Sequence, residues 1–342
     1  MSAPLRLSLD AGALVSNWHW LDRASGTAAC GAAVKADGYG LGARDVVSRL
    51  ADAGCRDVFV ATWDEADALG AVPDAVTVSV LHGVREDDMA VALASPARPV
   101  LNTREQVIRW KAAGGGLCDV MVDTGMNRLG LTVDDVGGGL LAGLQIETLM
   151  SHLASGDDDL AQNGRQRDAF AALKGWTSAQ RMSLANSAGI CLGSGYTFDL
   201  TRPGLALYGG VPRREAVGGI AQVVTPQAQI LQRRRVNPGD TVGYNATFTA
   251  TEAIELAVLN IGYADGYLRG FSGKGSAGKG RFPVIGRVSM DLTIICVNAA
   301  PDLKEGDWID IDYDLRTAAR ASGLSQYELL TGMGDRFDRV WV

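Results

Sequence analysis

The sequence is poor in cysteine, histidine and lysine, and it lacks both a basic surplus and any long apolar run. Its five cysteines, Cys30, Cys55, Cys118, Cys191 and Cys296, are odd in number, widely spaced and free of CxxC pairs. That excludes a disulfide framework or a zinc ribbon, and predicts reduced thiols and no metal. With 32 Lys plus Arg against 39 Asp plus Glu the formal charge is −7, so there is no positive field to gather phosphate backbones and nucleic acid is not an expected partner. The opening MSAPLRLSLDAGAL carries Arg6 and Asp10 where a secretory signal needs unbroken apolar chain. No other run is long enough to span a bilayer, so the expectation is a cytoplasmic protein without a membrane partner.

Glycine is plentiful, at 43 residues, nearly twice the usual share of about 7% and without collagen's period, which predicts many close turns. Through the first two thirds of the chain a short β-rich apolar run, a polar turn and a helical stretch repeat. The runs are AACGAAVK (28–35), DVFVAT (57–62), TVSVL (77–81), RPVLN (98–102), CDVMVD (118–123), IETLMSH (146–152), RMSLAN (181–186) and TFDLTR (197–202). Between them ARDVVSRLADAG, WDEADALG, TREQVIRWKAAG and QRDAFAALKGW read as helices. In the first of these Val46, Val47 and Leu50 recur three and four apart and make one buried face. Apolar strands alternating with such helices build a parallel sheet covered by helices, and eight units can close into a (β/α)8 TIM-like barrel. An open doubly wound sheet shares the local pattern; the count of eight favours the barrel. Later in the chain, short alternating strands separated by turns such as NPGD and SGKGSAGKG predict a mostly antiparallel β domain. The expected organisation is an α/β chain with a barrel over 9–215 and a β domain over 216–342.

In a parallel barrel the chemistry collects at the C-terminal ends of the strands. Those ends carry Lys35, Asn102, Asp123 with Arg128 just beyond, His152, Asn186 with Ser187, and Arg202. Of the six lysines, Lys35 alone ends an apolar strand, where desolvation lowers an amine's pKa and makes it a nucleophile able to join an aldehyde. A snorkelling or ion-paired lysine is the plainer reading of the same position. After the eighth run TRPGLALYGG places Pro203 and Gly204 where a helix N-terminus meets anions in such barrels, and Asn186 and Ser187 are candidate donors to the same anion. A lysine amine near a phosphate cup suggests pyridoxal phosphate.

The stretch AVKADGYGLG resembles the cofactor-lysine motif of the fold-type III alanine racemases. VDTGMNRLG, SHLAS, ANSAG, RPGLALYGG, VGYNATF, NIGYADGY, GRVSMDLT and QYELLT resemble the family's other signatures in the same order, from about residue 4 to the end. The resemblance implies interconversion of L-alanine and D-alanine with pyridoxal 5'-phosphate, supplying D-alanine for bacterial peptidoglycan. It also implies a strand within 1–8, around Leu5 to Leu9, that joins the β domain, and a head-to-tail homodimer with each active site at the interface. Lys35 would serve one face of the substrate α-carbon and Tyr244 of the partner subunit the other. His152 would neighbour the phenol of Tyr244, and Arg202 would face the pyridine nitrogen. Tyr39, Ser187, Gly204, Leu205 and Tyr327 match the phosphate ligands, Arg128 and the backbone of Met290 match the substrate-carboxylate contacts, and Tyr263 matches an entrance residue.

The chain also departs from the family pattern. Met121 stands where many members carry a lysine, often carbamylated, Leu41 replaces a frequent histidine, and Ser183 stands where some members have a histidine beside the ring arginine. A racemase of broader amino acid range on the same scaffold is the nearest rival. A basic amino acid decarboxylase and a non-catalytic pyridoxal phosphate carrier are more distant ones, the latter resembling the barrel alone.

Overall fold

Each of the eight apolar runs forms a parallel strand, as expected of chain buried on both faces of a sheet. In the computed structural model, which describes residues 4–342, the strands are Ala29–Cys30 continued by Ala32–Ala33, Asp57–Val60, Thr77–Val80, Arg98–Leu101, Cys118–Met121, Ile146–Met150, Arg181–Ser183 and Leu200–Thr201. From Ala32–Ala33 to Arg181–Ser183 they pair in sequence order, and Leu200–Thr201 pairs in parallel with Ala29–Cys30. The remaining seam is joined by the Asp199 N–H donating to Met182 O at 3.0 Å and the Arg202 N–H to Ala185 O at 2.8 Å. The ring therefore closes as a barrel, and the open-sheet alternative does not form.

Helices follow where the spacing predicts them: Ala43–Ala53, Trp63–Ala68, Arg104–Ala112 and Ala161–Ala171. The first buries Val46, Val47, Leu50 and Ala51. Two others start on threonine caps, Thr62 accepting from the Glu65 N–H and Thr103 from the Gln106 N–H, which satisfies N–H groups the helix itself cannot.

At the opposite end from the chemistry three of the strands begin with ionic side chains, Asp57, Arg98 and Arg181. Arg181 donates to both Asp57 oxygens, at 2.7 and 3.1 Å, tying the second strand to the seventh across the barrel. Asp57 is 6% exposed, so an unpaired carboxylate there is costly. Arg181→Met is expected to lower the unfolding free energy by about 2–3 kcal/mol, read as a lower urea midpoint at unchanged slope.

The chain divides into two compact units. One comprises Leu14–Leu207 and Val211–Ala221; the other takes the N-terminal residues through Ala13, Tyr208–Gly210 and Gln222–Val342. The expected border at 215/216 thus moves to Ala221/Gln222. Asn17 explains the shift: its side chain donates to Leu207 O at 3.2 Å and Ala221 O at 2.9 Å and accepts the Ala221 N–H at 2.7 Å, holding 211–221 to the barrel unit.

The second unit is built on the long strand Val224–Val236, whose burial alternates over 224–230 with the period of two that a one-sided sheet requires. It pairs antiparallel with Leu5–Leu9, Ile254–Leu259 and Trp308–Asp310, while Thr293–Cys296 extends the sheet at one edge and Asp338–Trp341 lies parallel to Leu5–Leu9 at the other. The N-terminal strand expected within 1–8 is therefore Leu5–Leu9; residues 1–3 of that segment lie outside the described residues. All five cysteines are free thiols. Among the described residues no helix is long and apolar enough to cross a membrane.

Candidate active site at the barrel mouth

Lys35 follows directly on the first barrel strand, whose end is fixed by the Val34 N–H donating to Phe59 O at 2.8 Å. Immediately after it the backbone turns left-handed, with φ of 54° at Ala36, 52° at Asp37, 62° at Gly38, 56° at Tyr39 and 85° at Gly40. Each non-glycine residue in that region costs on the order of 1–2 kcal/mol, so other contacts must hold the turn. Gly38 is needed there twice over, by its φ and because a Cβ would come within 3.1 Å of Ala43 backbone. The Asp37 carboxylate accepts the Ala43 N–H at 2.8 Å, and Glu65 bridges from the next unit of the barrel, accepting the Ala36 N–H at 2.8 Å and the Ala61 N–H at 2.6 Å. The turn buries Tyr39 and Leu41 and leaves Lys35 at the solvent-open mouth.

The Lys35 amine is nevertheless held below the ordinary lysine value. Desolvation by the surrounding wall is the main cause, and the charges of Arg128 and Arg202 add to it against the opposing pull of Glu65. His152, at the end of the sixth strand, feels the same field: burial, then Arg202, Arg128 and Lys35, push its pKa down to about 3. The imidazole is neutral at any working pH.

Arg202 is buried under the mouth. One guanidinium nitrogen donates to Ser183 Oγ and the other to Ser151 O at 2.6 Å. Burial pushes its pKa down to about 10, partly offset by Asp119, and it remains protonated at neutral pH. Ser183, where a histidine was the family alternative, thus serves as an acceptor for Arg202.

Beyond Arg202 the chain forms a small cup. The Gly204 and Ala206 N–H groups both point to Ser187 Oγ, at 2.9 and 3.2 Å, and a Cβ on Gly204 would lie 2.2 Å from Tyr39 Oη. Glycine is what lets the phenol approach the backbone here. The following turn is the 3-10 segment Leu205–Tyr208 and not an α-helix. Asn186 caps the helix Ser187–Cys191 by accepting the Gly189 N–H at 2.9 Å, so its side-chain oxygen orders the cup from outside.

Two other strand-end residues are structural. The Asn102 amide donates to Leu81 O and Val100 O. Asp123 accepts the N–H groups of Gly125, Met126 and Arg128 at 2.8, 2.9 and 3.1 Å, which fixes the loop that presents the exposed Arg128 side chain. Met121 is buried in the wall opposite Met150.

Tyr244, Tyr263, Met290 and Tyr327 lie in the second unit. Tyr244 sits in the 3-10 turn Tyr244–Ala246 after the strand Thr241–Val242, because Gly243 at φ 75° turns the chain. It is 62% exposed. Tyr263 and Met290 are brought together: the Tyr263 N–H donates to Ser289 O at 3.0 Å and the Ala264 N–H to Met290 O at 2.9 Å. Tyr327 is in the helix Gln326–Thr331, which starts on a Ser325/Glu328 capping box.

Comparison with known proteins agrees with this layout. The alanine racemase N-terminal domain matches residues 9–212 and the alanine racemase C-terminal domain residues 223–341. The chain belongs to the alanine racemase family. An alanine racemase of Acidiphilium cryptum is 40% identical over 98% of both chains, and a biosynthetic alanine racemase of Agrobacterium fabrum is 38% identical over 99% of this chain and 94% of its own. Among solved structures, alanine racemase from Bartonella henselae with covalently bound pyridoxal phosphate covers both chains fully, with a TM-score of 0.90 at 33% identity. The biosynthetic alanine racemase of Pseudomonas aeruginosa superposes with a TM-score of 0.89 at 29% identity.

Two features of this alanine racemase fold were not read from the sequence. In the sequence Glu65 reads simply as part of the WDEADALG helix. Its place three residues after the Thr62 cap marks it as a side chain that reaches back over a helix N-terminus, though in the fold it reaches one residue further than a capping box, to Ala61. Ser151, whose carbonyl accepts from Arg202, had no sequence signal at all, since any residue supplies a carbonyl.

Proposed function

We propose that the protein is a pyridoxal-phosphate-dependent alanine racemase interconverting L-alanine and D-alanine. The observation that carries the reading is Lys35: an amine with lowered basicity at a barrel strand end, in one mouth with the Ser187–Gly204–Tyr39 cup and the buried Arg202. These residues fit the cofactor. The cup would hold its phosphate through Tyr39, Ser187, Gly204 and Leu205, with Tyr327 as a further ligand by the family resemblance, and Arg202 would face the ring nitrogen. When bound, pyridoxal phosphate supplies a covalent anchor for the substrate amine and an electron sink that acidifies the α-hydrogen.

The chain's own residues do the rest. Lys35 Nζ, its basicity lowered by its surroundings, takes or returns the α-proton on one face. The partner subunit's Tyr244 serves the other face. A phenol of ordinary pKa about 10 is a weak base, and neutral His152 is the acceptor we assign to its hydrogen. Arg202 can donate but not give up its proton, so a ring nitrogen against it stays unprotonated and the electron sink is moderated. Arg128 and the Met290 backbone would hold the substrate carboxylate, and Tyr263 would narrow the entrance. The homodimer this requires is supported by the exposure of Tyr244, Met290, Leu292 and Leu231 on the β unit, and we place the enzyme in the cytoplasm.

Purified protein incubated with L-alanine and pyridoxal phosphate is expected to form D-alanine, detected by chiral chromatography, faster than it racemises serine, lysine or arginine. Equal or greater rates on those amino acids would support the broader racemase instead. Gly204→Ala is expected to push Tyr39 off the cup, an overpacking cost of about 1–3 kcal/mol, and so to weaken cofactor affinity by roughly 10- to 100-fold in a fluorescence titration.

A further inference from the structure

We infer that Glu65 is a positioning residue for Lys35: its carboxylate ties the left-handed turn after the lysine to the end of the neighbouring strand, and brings a negative charge to the mouth that holds the amine. The inference deepens the racemase reading and rests on it for the role of the amine.

The geometry is specific. One oxygen of Glu65 accepts the N–H of Ala36, the residue next to Lys35, and the other accepts the N–H of Ala61, which follows the second barrel strand. A carboxylate is the only side-chain group that can accept from two separate backbone donors with two equivalent oxygens and remain anionic. Glu65 is itself held by its helix, whose first turn is set by Thr62. The turn it secures, Ala36 to Gly40, keeps five successive residues at positive φ, so an external contact at its first residue determines where the preceding side chain starts.

The electrostatics run the same way. The groups facing Lys35 come from four elements: Arg128 from the loop after the fifth strand, His152 from the end of the sixth, Arg202 from the eighth, and Glu65 from the helix after the second. Arg128 and Arg202 oppose protonation of the amine, His152 is neutral, and Glu65 alone favours it. The Asp37 carboxylate is turned to the Ala43 N–H. Without the Glu65 charge the amine faces two cations uncompensated and must become a weaker base.

The first test uses the full-length protein stripped of cofactor, labelled with trace acetic anhydride across a pH series, with acetylation of Lys35 followed by peptide mass spectrometry. Below its pKa an amine acylates in proportion to its neutral fraction. Glu65→Gln, which keeps the side-chain length, is therefore expected to raise the Lys35 rate at pH 7 by roughly threefold to tenfold relative to Lys111 in the same digest. Glu65→Asp keeps the charge but is one methylene too short to span both N–H groups; it is expected to leave the Lys35 pH dependence near wild type while making the 35–42 segment exchange amide hydrogen faster. In the holoenzyme the acid limb of the kcat profile should move to lower pH in Glu65→Gln and stay in place in Glu65→Asp.

A Lys35 acylation curve in Glu65→Gln that superimposes on wild type overturns the electrostatic half, and unchanged exchange of 35–42 in Glu65→Asp overturns the mechanical half. If Glu65→Gln does not fold, the inference rests on Glu65→Asp, and unchanged exchange of 35–42 there overturns it. Because acylation of the stripped protein does not depend on turnover, its result separates this inference from the racemase reading, which the wild-type D-alanine assay decides.

Discussion

Lys35→Ala is expected to abolish covalent attachment of pyridoxal phosphate and to reduce racemisation by at least about 10⁴-fold, since it removes both an activated nucleophile and a positioned base. The large effect follows from location. Five other lysines are present, but none follows a barrel strand, and none sits between the two arginines whose charge lowers the basicity of Lys35. The cup is left intact by the substitution, because its contacts run between Ser187, Gly204, Ala206 and Tyr39. Non-covalent binding of the cofactor should therefore survive, weakened, and an added primary amine should restore a small part of the rate. Absorbance of the dialysed protein and the D-alanine assay check the two halves separately. A variant that keeps full activity would mean that the amine chemistry lies elsewhere.

Tyr244→Phe is expected to cost racemisation about 10²- to 10⁴-fold, the usual contribution of a positioned acid/base group, with cofactor attachment unchanged. Two enantiomers have equal free energies, so kcat/KM must fall equally in the two directions. The asymmetry between the two bases appears instead in isotope exchange. In deuterated water the enantiomer whose α-hydrogen faces Lys35 should still exchange it with retention of configuration, while the other should become inert. Exchange lost from both enantiomers, or racemisation left at the wild-type rate, would refute a two-base assignment.

The barrel was legible because its signal is repetitive. Eight apolar runs spaced by helical stretches leave few closures open, and each run contains a strand whose ends lie within three residues of its own. The β unit was legible from alternation, most clearly along 224–230. The placement of Lys35, His152 and Arg202 at one barrel mouth was legible, because each stands just past an apolar run that forms a strand.

What was not legible depended on backbone. Tyr244 falls in a 3-10 turn because Gly243 adopts a positive φ, and a glycine in a β-rich stretch does not announce which sign it takes. The border between the units moved because one side chain, Asn17, bonds to residues some two hundred positions away, a relation without local trace. Glu65 was hidden for the opposite reason: on a short surface helix a glutamate is the ordinary residue, and its two backbone partners come from other segments.

The central claim is that Lys35 carries the cofactor. The most direct measurement is to purify the full-length protein with pyridoxal phosphate, reduce it with borohydride, and map the modified peptide by mass spectrometry. The account predicts one pyridoxyl-phosphate adduct per chain, on Lys35. An adduct on Lys111, Lys174, Lys274, Lys279 or Lys304, or none at all, would contradict it.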